Sequence, residues 1–283
     1  MFLRERISDG SRYFRDRSQL KGRAKNVILP NDETELREGI RYSNKGNTKV
    51  TISGSRMGSA GGSVPTGGDV MSMENLSGVL GVGRDEKGIF LRVLPNTTVR
   101  QFNNYLSRMD FEYLDSRDEF PIEGGSFPVD VPPEHSVGGT VSTNRSGIRP
   151  YVRRIKVVFS DSTFMTLSRG EYIAEGRRMS FPAGRNFFCF DIPSYDSKED
   201  VGPRISENMD LMDLFIGSEG IFCIITEADI YLSDRPESVE TVECGKLLNG
   251  RIGEIHGQRS VEELKKVKEI LDAAYILNVG NLL

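Results

Sequence analysis

Thr48 to Ser53 is an apolar, β-rich run, and it feeds directly into Gly54-Ser55-Arg56-Met57-Gly58-Ser59-Ala60-Gly61-Gly62-Ser63-Val64-Pro65. A segment with four glycines behind a strand allows positive φ and close backbone approach, and its amide groups can cradle a phosphate. Two more segments share this character. One is Ser136-Val137-Gly138-Gly139-Thr140-Val141-Ser142-Thr143-Asn144; the other is Gly217-Ser218-Glu219-Gly220. Each leads into or out of an apolar strand, so the three can converge on one extended, phosphate-bearing ligand. The common nucleotide patterns are absent. No G-x-x-x-x-G-K-[S/T] occurs, and Gly81-Val82-Gly83 meets Glu86 where a dinucleotide fingerprint needs its third glycine.

The rest of the chain reads as strands mixed with helices, hence α+β rather than a doubly wound parallel sheet. Asn26 to Pro30 is a strand. Asp32 with Glu35 caps a helix over 34–46, with Leu36 and Ile40 on one face. Val70 to Met73 and Ile89 to Leu94 are strands, and Thr98 with Gln101 is a second capping box ahead of Phe102 and Leu106. Gly124 to Val137 reads as loop. Val152 to Phe159 and Thr163 to Leu167 form a hairpin, Leu211 to Phe215 a helical turn and Ile221 to Leu232 a strand. Residues 170–208 show no period and read as an irregular insertion. Ser260 with Glu263 caps a closing helix along Leu264, Val267, Leu271 and Ala274.

Composition sets limits on function. The chain has 283 residues, a net charge of −4 and 30 glycines. Mild acidity gives no reason to expect nucleic acid. No apolar run is long enough for a membrane span. No h-region follows Met1, so the expected location is cytoplasmic. Cys189, Cys223 and Cys244 show no metal spacing, so no metal is expected. Only two histidines, His135 and His256, are available as bases.

In order, these segments resemble the FAD-binding domain of the FAD-linked oxidases, the vanillyl-alcohol oxidase and p-cresol methylhydroxylase type, with the D-lactate dehydrogenase and glycolate oxidase flavoproteins as the nearest branch. Gly54 to Pro65 is similar to the family's G-x-G-T-G-x-x-G-G-A-x-P loop. Val137 to Asn144 is similar to I-G-G-N-V-A-T-N, and Leu214 to Gly220, with Ile225-Thr226-Glu227-Ala228, to L-F-V-G-S-E-G and V-T-E-A. Ile276-Leu277-Asn278-Val279-Gly280 is similar to the closing I-L-N-P-G.

The resemblance implies FAD between two α+β subdomains, about 1–85 and 86–232. It leaves 233–259 as a linker or remnant of a largely absent cap domain, and 260–283 as a helix and tail packing back. The implied cofactor contacts are Ser53, Gly54, Ser55, Arg56, Met57, Gly58, Ser59 and Pro65 from the first loop. The second segment adds His135, Ser136, Gly138, Gly139, Thr140, Ser142, Thr143 and Asn144. The third adds Gly217, Gly220, Ile221 and Ile225. Met57 stands where some members carry a flavin-linked histidine, which implies non-covalent FAD. Arg56 replaces a loop glycine, and its charge suits a pyrophosphate. His135 and Tyr151 are the implied catalytic residues, with Arg145 and Arg149 as candidates to hold an acidic substrate. Arg153 and Arg154 read as a solvated strand edge. The implied activity is oxidation of a small hydroxy acid or alcohol. The alternatives are an FAD-binding subunit completed by a partner chain, and a non-catalytic flavin-binding protein. An uncovered cofactor face favours a homo-oligomer or a partner subunit.

Overall fold

A computed structural model describes residues 3–8, 10–109, 125–195, 202–233 and 252–282. Cys244 and most of 233–251 lie outside the described residues.

The first half is a four-stranded sheet in the order β1 (Leu3–Arg6), β2 (Asn26–Leu29), β4 (Asp69–Ser72), β3 (Val50–Ser53). β2, β4 and β3 run parallel, and β1 adds an antiparallel edge. Parallel strands of one sheet need crossovers, and α1 (Glu33–Lys45) carries the chain from β2 to β3, on the far side of β4. The Asp32 carboxylate accepts from the Glu35 amide at 2.8 Å, a cap that contributes about 1 kcal/mol. One turn later Leu36 and Ile40 bury fully among Ile28, Val50 and Met71. A Cβ on Gly39 would stand 3.0 Å from both Ile28 and Met71, so glycine lets the helix sit this close to the sheet.

The second half is an antiparallel sheet in the order β5 (Val79–Asp85), β6 (Gly88–Val93), β11 (Ile224–Tyr231), β7 (Val152–Val158), β8 (Phe164–Ser168). The change of sheet falls between Ser72 and Val79, ahead of the boundary expected near 85. α2 (Val99–Leu106) has the full capping box, with Thr98 Oγ1 accepting from Gln101 and Gln101 Oε1 from Thr98. Its apolar face buries Val99, Phe102 and Leu106, and Phe102 meets Phe127 edge-on at 5.2 Å.

Four expectations are corrected. Residues 170–208 hold a hairpin, β9 (Arg178–Ala183) with β10 (Asn186–Asp191). Phe181, Phe188 and Phe190 from it pack together, and Phe181 and Phe188 also stack near Phe159 in the larger core. Residues 137–142 form a short helix, α3 (Val137–Ser142), rather than a loop. Arg153 and Arg154 lie on inner strand β7. They converge with Arg92 on the fully buried Asp229, whose carboxyl accepts from Arg92 at 2.9 Å and Arg154 at 2.9 Å. Burial pushes that carboxyl up, but the two guanidinium hydrogen bonds outweigh it and hold it below the usual carboxylate range. Finally, after α4 (Leu211–Phe215), helix α5 runs from Ile252 to Leu271, so Ser260 is an interior residue and not a cap.

Beyond α5 the chain returns to the first sheet. Val50 N–H donates to Ile276 O at 2.7 Å and Asn278 N–H to Val50 O at 2.9 Å. The tail therefore packs back beside the first glycine-rich loop, two hundred residues away in sequence. No helix among the described residues is long and apolar enough to cross a membrane.

Candidate functional site

A cavity of about 1090 Å³ opens between the two sheets, just above the roughly 300–1,000 Å³ usual for small-molecule sites. Three of its walls are the three glycine-rich segments.

The first is the loop after β3. Gly54 to Gly58 and Ser59 line the cavity; Ser53 is buried behind the loop and Pro65 faces a separate small cleft. The loop is half-buried, yet the backbone N–H groups of Ser55 through Ala60 take no acceptor among the described residues. All six residues line the cavity, so their unspent amides are available to an anion bound there.

The second wall is the turn before α3 and the helix itself. Ser136, Gly138, Gly139, Thr140, Ser142, Thr143 and Asn144 all line the cavity. Ser55 Oγ accepts from the Ser136 amide at 3.1 Å and ties this wall to the first. Gly138 is needed for packing. A Cβ there would stand 2.7 Å from Pro95 O, which already accepts from the Gly138 amide at 2.8 Å.

The third wall begins beyond α4. Gly217, at φ +85°, lies behind it, where a Cβ would be 2.2 Å from Gly202 O. Glu219 donates its amide to Ser142 O at 2.8 Å, docking the segment on α3. Gly220 and Ile225 line the cavity, while Ile221 is buried away from it. Burial pushes the Glu219 carboxyl up to about 7 and the Cys223 thiol well above its usual range.

Asn278, from the closing motif, also lines the cavity, a role that the motif alone does not imply. Its Oδ1 accepts from Ile52 N–H at 2.7 Å and its Nδ2 donates to Glu219 O at 2.6 Å, so one amide clamps the first wall to the third. Asp130, Val131 and the Pro132-Pro133 pair also line the cavity without any motif to mark them.

His135 is 5% exposed and lines the cavity. Its Nε2 stands 3.2 Å from Met57 O, so it donates there. Nδ1 is then an acceptor, and it is buried without a partner among the described residues. Burial and the neighbouring Arg145 charge hold the imidazole below its ordinary pKa. Arg145 lines the cavity and has no carboxylate partner among the described residues. The other candidates lie elsewhere. Arg149 is buried and structural, donating to Asp213 O at 2.9 Å and Gly202 O at 2.7 Å. Tyr151 packs against the larger core outside the cavity. His256 falls within α5, and its side chain lies outside the described residues.

The family described as an FAD binding domain matches residues 24–168, just over half of the chain and the whole path from β2 through the first two walls to β8. The chain belongs to this FAD-binding family. Among curated relatives, it is 26% identical over 228 residues to D-lactate dehydrogenase of Anaerostipes hadrus, covering 77% of this chain and 38% of that protein. It is 23% identical over 257 residues to the mitochondrial D-2-hydroxyglutarate dehydrogenase of Rattus norvegicus, covering 83% and 39%. It is 22% identical over 217 residues to the glycolate oxidase subunit GlcD of Bacillus subtilis, covering 76% and 38%. The chain thus spans less than two-fifths of the length of these relatives. A solved alkyldihydroxyacetonephosphate synthase shares the fold at a TM-score of 0.50 and 16% identity, covering 78% of this chain and 34% of that one.

The domain is α+β, of the p-cresol methylhydroxylase type, and its cofactor is FAD. The residues present fit that cofactor. The free amides of 55–60 suit its diphosphate, and the cavity accommodates an extended dinucleotide. Among the described residues no group of His, Cys, Asp and Glu could hold a metal ion.

Proposed function

We propose that this chain binds FAD non-covalently and takes part in oxidising a small 2-hydroxy acid. The observation that carries this reading is the pairing, in one cavity, of a buried base lacking a donor and a cation lacking a carboxylate. His135 Nδ1 is the base and Arg145 the cation. A 2-hydroxy acid offers the complement of each, a hydroxyl to donate and a carboxylate to pair.

Bound FAD would supply a hydride acceptor for the carbinol carbon of such a substrate. His135, held neutral by burial, takes the hydroxyl proton on Nδ1 while Met57 O anchors Nε2–H and fixes the tautomer. Arg145 holds the carboxylate by charge-assisted hydrogen bonds. Met57 offers no nucleophile to a flavin, consistent with a cofactor released on denaturation. The named activities of the relatives, on lactate, 2-hydroxyglutarate and glycolate, support the substrate class. The short span relative to those proteins supports a second reading, an FAD-binding subunit whose substrate site a partner chain or a second copy completes.

Anaerobic mixing of the FAD-loaded chain with a panel of 2-hydroxy acids and their methyl esters tests the proposal. The expected result is bleaching of the flavin absorbance by at least one acid and not by its ester. Bleaching only after another protein is added selects the second reading. Equal bleaching by acid and ester would contradict the role of Arg145.

A further inference from the structure

Arg56 carries a combination of costs that its contacts within the chain do not recover. Its backbone sits at φ +56°, the left-handed region that a non-glycine residue enters at a penalty. Its side chain is half-buried at the cavity wall. No carboxylate lies within ion-pairing distance of it among the described residues, and its single hydrogen bond is a 3.5 Å contact from Nη1 to Ser53 Oγ. Its neighbour is another cation. Arg12 and Arg56 both lie over the Tyr13 ring, at 5.1 and 5.2 Å from its centroid. Arg12 has the local carboxylate, Glu74 at 2.7 Å, which also accepts from Tyr13 Oη at 2.9 Å. Arg56 is therefore left with most of its five donors unspent. Burial, and then the Arg12 charge, disfavour its protonated form.

Strain, an uncompensated charge and the row of free amides at 55–60 meet in one loop. We propose that Arg56 is a built-in counter-charge for the diphosphate of the bound dinucleotide, which trades stability of the empty protein for cofactor affinity. This rests on the cofactor reading and adds to it a residue with opposite effects on the two states. With the ligand absent, the guanidinium rests on Tyr13 and destabilises the loop. With the ligand present, it forms charge-assisted hydrogen bonds to phosphate oxygens, and those bonds are sensitive to salt.

The experiment compares the wild-type chain with Arg56→Gln, which removes the charge, and Arg56→Gly, which removes the charge and the backbone strain. Melting is followed for the empty protein, and binding is followed by flavin fluorescence with FAD and with riboflavin, at low and high salt. Inorganic pyrophosphate serves as a flavin-free probe. Both variants are expected to bind FAD about tenfold or more weakly, with a flatter salt dependence and little change toward riboflavin. The empty Arg56→Gly protein is expected to melt higher than wild type. Pyrophosphate is expected to raise the melting temperature of wild type and not of either variant. Wild-type FAD affinity and salt dependence in both variants would overturn the proposal. So would equal pyrophosphate stabilisation of all three proteins. A wild-type chain that responds to pyrophosphate but takes up no FAD would instead sink the cofactor reading and leave the anion site standing.

Discussion

Lys268→Met is expected to destabilise the protein by about 3–5 kcal/mol, the range for removing one partner of a buried ion pair. Lys268 and Asp272 are both 0% exposed, one turn apart on and just beyond α5. The ammonium has three protons and spends all three, on Ile221 O at 2.6 Å, Asp272 Oδ2 at 2.7 Å and Leu277 O at 2.7 Å. Asp272 in turn accepts from the amides of Ile276 at 3.1 Å and Leu277 at 2.9 Å. Methionine fills the space but leaves the buried carboxylate without its counter-charge and the Ile221 and Leu277 carbonyls without the ammonium donor. The double variant Lys268→Met, Asp272→Asn is expected to recover part of the loss, because the stranded charge is gone while the carboxamide oxygen still accepts from one of the two tail amides. Denaturant titration of the four proteins of this cycle measures it. Additive losses would show that the pair does not act as a unit. The effect should reach the site as well, since Ile221 leads into the third wall and Leu277 precedes Asn278.

His135→Gln is expected to lower the rate of flavin reduction by roughly 10²–10⁴, the usual contribution of a positioned base. FAD affinity should change little, because glutamine can still donate to Met57 O. The pH profile separates a chemical role from a structural one. The folded pKa of His135 lies below its ordinary 6.5, so the neutral base prevails at pH 7 and above. The wild-type rate should be flat there and fall as the pH drops below that ordinary value. The variant should lack this limb. Stability has the same sign. The unfolded chain takes up the proton first on acidification, so the contribution is complete above about 6.5 and is lost as the pH falls toward the folded pKa. An unchanged profile in the variant would remove His135 from the chemistry.

What the sequence revealed was what local physics determines. α1 and α2 are set by Asp32, Thr98 and Gln101 acting within one turn, and both were legible. The three glycine-rich walls were legible as segments, since glycine is chosen by backbone geometry. Their convergence was legible only through family resemblance, because it depends on Asn278 reaching Ile52 across 226 positions. The β9–β10 hairpin was missed although Met179, Phe181 and Ala183 alternate with exposed residues. Pro182 sits on the exposed side of a two-stranded ribbon, where a missing donor is tolerated, and it disguised the period. Ser260 with Glu263 imitates a cap because the pattern is short, and only the preceding helical turns reveal it as interior. Arg149 reads in sequence as a candidate to hold an acidic substrate; three backbone carbonyls distant in sequence make it a strut instead.

The most direct measurement of the central claim is the absorbance spectrum of the purified chain after incubation with FAD and removal of the unbound cofactor. The expected result is a flavin spectrum at about one FAD per chain, with all of the flavin released unmodified on denaturation. A chain that retains no flavin at micromolar concentrations of both partners would contradict the account.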